Sequence, residues 1–330
     1  MSRARRGLTC AALILTLSGC TGLAAGSGDQ RTARPDKAAA RPARATAAAE
    51  LRTPAPTRPP PGVADLVGED GRLTVLILGS DVRKGIIGER TDTIIVATID
   101  PVSGKVALVS LPRDTVNVPI APGIAYPQRI NSLYFDLQQS SGKAKVALTK
   151  LREALAYAFD TQIDFYVLVD FDGLVQLIDS IGGIEVSLDE PLIDASMHLG
   201  TRGLRLRAGT PRLSGREALA FSRSRHTDSD YDRSRRQQQV LVAVAEKVRQ
   251  RGLSALPALV ELARKKTLTD IPLRAAPALL ELASRADLSD PRSVVLEPIR
   301  WARELPSTYT ISPRVLEVQK LFDRLLDPLG

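Results

Sequence analysis

From Leu73 onward LTVLILG (73–79), TIIVATID (93–100) and KVALVSLP (105–112) follow one another as short runs dense in Val, Ile and Thr. Side chains branched in this way suit a pleated surface, and runs this short suit strands better than helices. Two of the runs are nearly continuously apolar. That predicts strands buried on both faces, as in a sheet with helices above and below it.

Helical and strand-like stretches then alternate. A helix is predicted over Lys143–Phe159, a strand over IDFYVLVD (163–170), a helix from Phe171, and a strand IEVSL (184–188) after Gly182 and Gly183. The alternation predicts an α/β fold, an α-β-α layered domain with a central mixed sheet, followed by a helical C-terminal half. Arg233, Gln237, Val240, Leu241, Val244 and Val248 fall on one stripe of a helix beginning near Arg233. Arg233 and Gln237 should therefore face the interior, and Arg235 should face away. LSALPALVELA (253–263) and IPLRAAPALLELA (271–283) are helices that either line an apolar cleft or pack in an ordinary core, and core packing is the simpler reading.

Composition permits a large core, with 44% hydrophobic and 25% charged residues in 330. The formal charge of +8 is concentrated at the start of the chain. Arg3, Arg5 and Arg6 hold three of these charges and residues 21–65 a net three more, which leaves +2 for residues 66–330. A nearly neutral domain has no basic stripe for a nucleic-acid backbone, so no nucleic-acid partner is expected.

The N-terminus reads as an export segment. MSRARRG is basic, and the apolar LTCAALILTL behind it is too short to span about 30 Å of hydrocarbon as a helix. Leu17, Ser18, Gly19 and Cys20 resemble the lipobox of bacterial lipoproteins, which implies cleavage before Cys20 and lipidation of its thiol. The alternative is an incidental Cys20, with the segment cut elsewhere or kept as a short anchor. Cys10 and Cys20 are the only cysteines, so cleavage would leave no internal disulfide. Residues 21–65 are rich in Ala, Pro, Arg, Thr and Gly and cannot form a core. The expected organisation is a signal peptide at 1–19, a lipidated tether at 20–65 and a catalytic domain at 66–330. The lipid would hold the domain on the extracytoplasmic face of the cell membrane.

Four segments bring arginine and aspartate together where strands end or a helix begins, the usual places for anion sites. The first three carry Asp81 with Arg83, Arg90 with Asp92, and Arg113 with Asp114. The fourth, FSRSRHTDSDYDRSRRQQQ, carries Arg223, Arg225, Asp228, Asp230, Asp232, Arg233, Arg236 and Gln237. Arginine forks grip phosphate oxygens bidentately, and the dipole of a helix beginning near Arg233 would add to them. Taken singly, each pair could be a surface ion pair of little consequence. Arg202, Arg205, Arg207, Arg212 and Arg216 are interspersed with apolar residues and should line an exposed face. His198 and His226 are the only histidines, which leaves little support for a His-based triad or a His-rich zinc site.

In order along the chain, GSDVR, ERTDTIIVATIDP, VSLPRDT, RINSLY, IDFYVLVDFDGLVQLIDSIGGIEV and LSGREALAFSRSRHTDSDYDRSRRQQ resemble the LytR-CpsA-Psr family. The resemblance runs from about Leu73 into the helix after Gln237. It implies an extracytoplasmic phosphotransferase that moves a glycopolymer from a polyprenyl-pyrophosphate carrier onto peptidoglycan, commonly the muramic acid 6-hydroxyl, with Mg2+ or Mn2+ as cofactor. It also implies Asp81 and Asp92 as metal ligands, and Arg83, Arg113, Arg223, Arg225, Arg233 and Gln237 around the pyrophosphate, with Arg90 beside them. The chain departs from the family in having a lipobox where a transmembrane helix is common, and Asp232 where a small residue is common.

Of these residues Arg113, Arg225 and Arg233 are expected to carry the charge of the transition state, with the lipid tail in the helix-lined cleft. Asp230 is the candidate general base; the alternative is a metal-assisted attack that needs none. A lipid-pyrophosphate hydrolase would share the site, and a non-enzymatic envelope regulator or glycan-binding lipoprotein is the reading from another class.

Overall fold

The computed structural model describes residues 62–81, 90–197, 199, 203–225, 229–298, 300–305 and 311–326. The export segment, Cys20, Arg83, Arg202, His198, His226 and Asp228 lie outside the described residues. The apolar runs become three successive strands, β1 (Leu73–Ser80), β2 (Thr91–Ile99) and β3 (Val106–Ser110), each antiparallel to the next. Helices α1 (Leu133–Ser141) and α2 (Ala144–Phe159) then cross over to β4 (Phe165–Asp170), which pairs parallel with β1. The remaining helices are α3 (Phe171–Ser180), α4 (Gly215–Arg223), α5 (Asp230–Arg251), α6 (Leu256–Lys265), α7 (Ala276–Arg285) and α8 (Val315–Leu326).

The C-terminal half is less uniformly helical than expected. Two short strands, β5 (Thr267–Thr269) and β6 (Arg292–Val295), complete a six-stranded mixed sheet in the order β5-β4-β1-β2-β3-β6. With only three and four residues, neither shows the alternation that would separate it from a helix end. Ile184–Glu185, the core of the predicted 184–188 strand, pairs with Arg212–Leu213 in a separate ribbon. Arg205, Arg207, Arg212 and Arg216 are exposed.

Strand alternation sends Leu76 and Leu78 of β1, Ile94 and Val96 of β2, and Tyr166 and Leu168 of β4 to one side of the sheet. There they meet Leu148, Leu151 and Leu155, which recur at helical spacing along α2, with Tyr134 of α1 and Val318 and Leu321 of α8. Each such fully buried aliphatic chain stabilises the fold by roughly 1.5–3 kcal/mol.

The opposite side of the sheet is apolar too, as the continuous runs predict, but it is not packed shut. Val75 and Ile77 are only half-buried, because this face, with α3, α5, α6 and α7, encloses a cavity. Val63, ahead of residue 66, is fully buried and clusters with Leu66, Leu73, Ala275 and Leu282.

Candidate active site

β1 and β2 run antiparallel, with Ser80 opposite Thr91 and a register shift at Gly79. Asp81, just past the end of β1, and Asp92, near the start of β2, therefore emerge at the same end of the sheet. A side chain at Gly79 would come within 2.9 Å of Thr93 Oγ1, so glycine lets the two strands close there. The third strand end adds Arg113, whose Nη1 donates to Asp92 Oδ2 at 2.9 Å. Asn131 Nδ2 donates to the other oxygen, Asp92 Oδ1, at 3.1 Å. Beyond Arg113, Asp114 lies 3.5 Å from Arg113 Nε and 3.3 Å from Arg129 Nη1.

The second half of the site is the turn from α4 to α5. Arg223 ends α4 with its guanidinium 4.5 Å from the centre of the Phe171 ring, a cation–π contact. Arg225 Nε and Arg233 Nη1 approach Asp230 Oδ1 at 3.1 and 3.4 Å. Arg233 is almost wholly buried, and its Nε has no hydrogen-bond partner among the described residues. Gln237, one turn on, donates to Ser222 O at 3.5 Å. Arg235 points off the inner face, as its spacing predicts, and pairs with Asp232 at 2.7 Å and Glu297 at 2.5 Å.

α5 begins earlier than near Arg233, at Asp230, because Ser229 and Asp232 form a capping box. Ser229 Oγ accepts from the Asp232 amide at 3.3 Å, and Asp232 Oδ2 accepts from the Ser229 amide at 3.1 Å. Asp232 is thus a capping residue, which accounts for a carboxylate at this position. Asp230 and Asp232 occupy the first turn of α5, where carboxylates meet the positive end of the helix dipole.

Asp81, Asp92, Arg113, Arg223, Arg225, Arg233 and Gln237 all line one cavity of about 650 Å³. Its floor is the open sheet face, Val75, Ile77, Ile95, Ala97, Val167 and Val169, and its wall includes Leu241 and Val244 of α5. The stretches at 253–263 and 271–283 supply Leu262, Leu279 and Leu282 to the same wall. Both readings hold for those two helices: Ala255, Leu280 and Leu282 are buried in apolar clusters, while Leu262, Leu279 and Leu282 also face the cleft. Arg90 is exposed and absent from the lining, although its carbonyl accepts from the Asp81 amide at 3.2 Å. Asp230 does not line the cavity either, but touches two arginines that do.

Burial pushes the Asp230 carboxyl up; Arg225 pulls it down, and the Asp114 carboxyl pushes it up again. The net shift is upward. Tyr231 beside it is raised to about 12 by burial and by Glu304, so it stays protonated at neutral pH.

The donor set suits a hard cation of the magnesium type. Among the described residues no third Asp, Glu, His or Cys joins Asp81 and Asp92 to make a closed cage. Magnesium commonly sits on one or two carboxylates and takes its other oxygens from water and phosphate. Each Asp92 oxygen also keeps a lone pair beyond its bond to Arg113 or Asn131.

The sequence profile of the LytR_cpsA_psr family matches residues 37–320. The chain belongs to that family. The teichoic acid transferase TagU of Halalkalibacterium halodurans, named polyisoprenyl-teichoic acid–peptidoglycan teichoic acid transferase, is 30% identical over 204 residues, covering 61% of this chain and 61% of TagU. The regulatory protein MsrR of Staphylococcus aureus is 33% identical over 211 residues, covering 62% of this chain and 58% of MsrR. The crystal structure of TagV from B. subtilis superposes with a TM-score of 0.61 at 25% identity, over 78% of this chain and 97% of that one. The match to these curated relatives thus spans about three fifths of their length. The mixed sheet with helices on both faces is the fold of the LytR_cpsA_psr family, and the site residues from Asp81 to Gln237 all fall inside the matched region.

Three further groups shape the site of this LytR_cpsA_psr chain: Asn131, which residue type alone does not single out, and Asp114 and Arg236, which belong to the arginine–aspartate segments but whose parts only the fold shows. Asn131 is buried in the RINSLY stretch and orients Asp92. Asp114 pushes the Asp230 carboxyl up. Arg236 is buried and donates Nη2 to Ser224 O at 2.5 Å. An asparagine amid apolar neighbours was a usable signal for the first, since buried amides need partners; the other two depend on contacts between distant segments.

Proposed function

We propose that this chain is a phosphotransferase that moves a glycopolymer from a polyprenyl-pyrophosphate carrier onto peptidoglycan at the outer face of the membrane. The observation that carries the proposal is the two-part cavity: a deep apolar floor continuous with a mouth that gathers Arg113, Arg223, Arg225 and Arg233. A ligand that fills both parts is long and apolar at one end and multiply anionic at the other. Lipid pyrophosphates have that form, and the TagU relative bears the name of a transferase acting on a polyisoprenyl-linked polymer.

In this reading the four arginines hold the pyrophosphate and spread the charge that grows on it as the phosphoryl group transfers. Arg233, buried with its Nε directed at no acceptor among the described residues, is the least solvated of them and so the most effective. The acceptor hydroxyl attacks the sugar-proximal phosphorus. A new oxygen–phosphorus bond forms, the bond from that phosphorus to the bridging oxygen breaks, and polyprenyl phosphate leaves. Asp230 takes the hydroxyl proton, and Arg225 stabilises its carboxylate beforehand. A magnesium or manganese ion on Asp81 and Asp92 would supply further neutralisation of the phosphate oxygens. Asn131 and Arg113 hold Asp92 in place for it.

Reconstitution with a lipid-linked glycopolymer and peptidoglycan tests the reading. The expected products are polymer covalently bound to peptidoglycan and an equal amount of polyprenyl phosphate. Release of lipid phosphate at the same rate without peptidoglycan would make the chain a hydrolase, and no turnover under any condition would leave it a binding protein.

A further inference from the structure

Asp194 ends a short strand, Leu192–Asp194, that pairs with Leu204–Leu206 well away from the sequence of the arginine turn. Its side chain is fully buried. One carboxylate oxygen accepts from Ser196 N at 2.9 Å and Ser196 Oγ at 2.6 Å; the other accepts from Ser224 Oγ at 2.6 Å and Arg225 N at 3.4 Å. Burial alone would raise this carboxyl, but hydrogen bonds from Ser196, Ser224 and two amides hold it well below the usual range. It is therefore a carboxylate at neutral pH, and hydroxyl contacts of 2.6 Å fit charge-assisted bonds.

Ser224 separates the two cavity arginines. Its backbone leaves α4 in an extended conformation, so its side chain points one way while Arg223 and Arg225 line the cavity on the other. Ser224 is held on three sides: its amide donates to Ala220 O at 2.9 Å, its carbonyl accepts from Arg236, and its hydroxyl donates to Asp194. Met197, three residues after Asp194, lines the same cavity, so this carboxylate links the apolar wall to the arginine turn.

We infer that Asp194 is a positioning residue whose carboxylate, acting through Ser224, aims Arg223 and Arg225 at the anionic group of the ligand. The inference rests on the reading that these arginines bind a pyrophosphate.

The test uses the full-length chain in detergent with two probes, geranylgeranyl pyrophosphate and geranylgeraniol, titrated by calorimetry, with thermal unfolding recorded for each variant. Asp194→Asn and Ser224→Ala should each weaken the pyrophosphate probe by about tenfold, the scale of one lost charge-assisted bond, and leave the alcohol unchanged. The double variant should be no worse than Asp194→Asn, because both substitutions break the same link. Ser196→Ala should lower the unfolding temperature without changing either affinity, whereas a purely structural role for the cluster would make Ser196→Ala and Ser224→Ala behave alike. Should Asp194→Asn fail to fold, the contrast between Ser224→Ala and Ser196→Ala still decides. A folded Ser224→Ala that binds the pyrophosphate probe like wild type, or that loses both probes equally, overturns the inference. Arg225→Ala separates the two levels. If it keeps full affinity for the pyrophosphate probe, the reading of the site fails and this inference with it; if it loses affinity while Ser224→Ala does not, only the positioning role fails.

Discussion

Asp230 sits between two guanidiniums and beside a second carboxyl, and its upward shift has opposite consequences for activity and stability. A base works only when deprotonated, so transfer should rise with pH through a value above that of an ordinary aspartate. Stability runs the other way, because a raised folded pKa helps most below the unfolded value and that help is lost as pH climbs through the folded one. Asp230→Asn should therefore remove the acidic limb from the profile of kcat/KM and lower kcat by about 10²–10⁴-fold. An acidic limb that survives in this variant would assign the proton elsewhere. Arg233→Ala and Arg235→Ala, two positions apart on α5, make a second comparison. Loss of the buried Arg233 should abolish transfer, while loss of Arg235, paired in solvent with Asp232 and Glu297, should change stability by less than about 1 kcal/mol. Equal loss of transfer in the two variants would contradict the inward and outward assignment. These arginines were legible in the sequence because helical spacing alone separates 233 and 237 from 235. Asn131 and Asp194 were not, since their partners lie 39 and 30 residues away and only the folded chain brings them together.

At the scale of elements, strands were readable where composition and length agreed. β1 to β3 are rich in β-branched side chains and flanked by turns, and they appear where their sequence places them. β5 and β6 join the sheet through pairing with strands far away in sequence, and nothing local marks them. The continuous apolar runs were rightly read as apolar on both faces, but periodicity cannot tell a face packed by a helix from one that floors a cavity. The two faces should differ in their response to mutation. Leu151→Ala, on the closed side, empties a fully buried site and should cost about 2–5 kcal/mol in denaturant unfolding. Ile77→Val, on the open side, removes one methyl from a half-buried chain that fronts the cavity and should cost well under about 1 kcal/mol. Similar costs at the two positions would mean that the cavity is closed in solution. Ser229→Ala should cost about 1 kcal/mol through loss of the α5 cap.

At the scale of the whole molecule, the cavity and the start of the chain make related demands. A carrier lipid stays in its bilayer, so a domain that takes its pyrophosphate must be held near the headgroups. About forty residues separate Cys20 from Val63, the first buried side chain among the described residues. A proline-rich tether of that length, were it extended as polyproline II at roughly 3 Å per residue, would reach on the order of 100 Å and would limit distance without fixing orientation. Lipidation at Cys20 would then act through local concentration. Cys20→Ala should consequently lose incorporation of a palmitate label and lose transfer in cells. Purified and supplied with detergent-solubilised donor, it should transfer as fast as wild type. Palmitate labelling that persists in the variant would remove Cys20 from its role. An unlabelled variant that stays on the membrane and still transfers would show that the apolar stretch at 8–17 serves as the anchor instead. A variant that is slow in detergent as well would mean that the tether contributes to the site itself, beyond holding the domain within reach of its substrate.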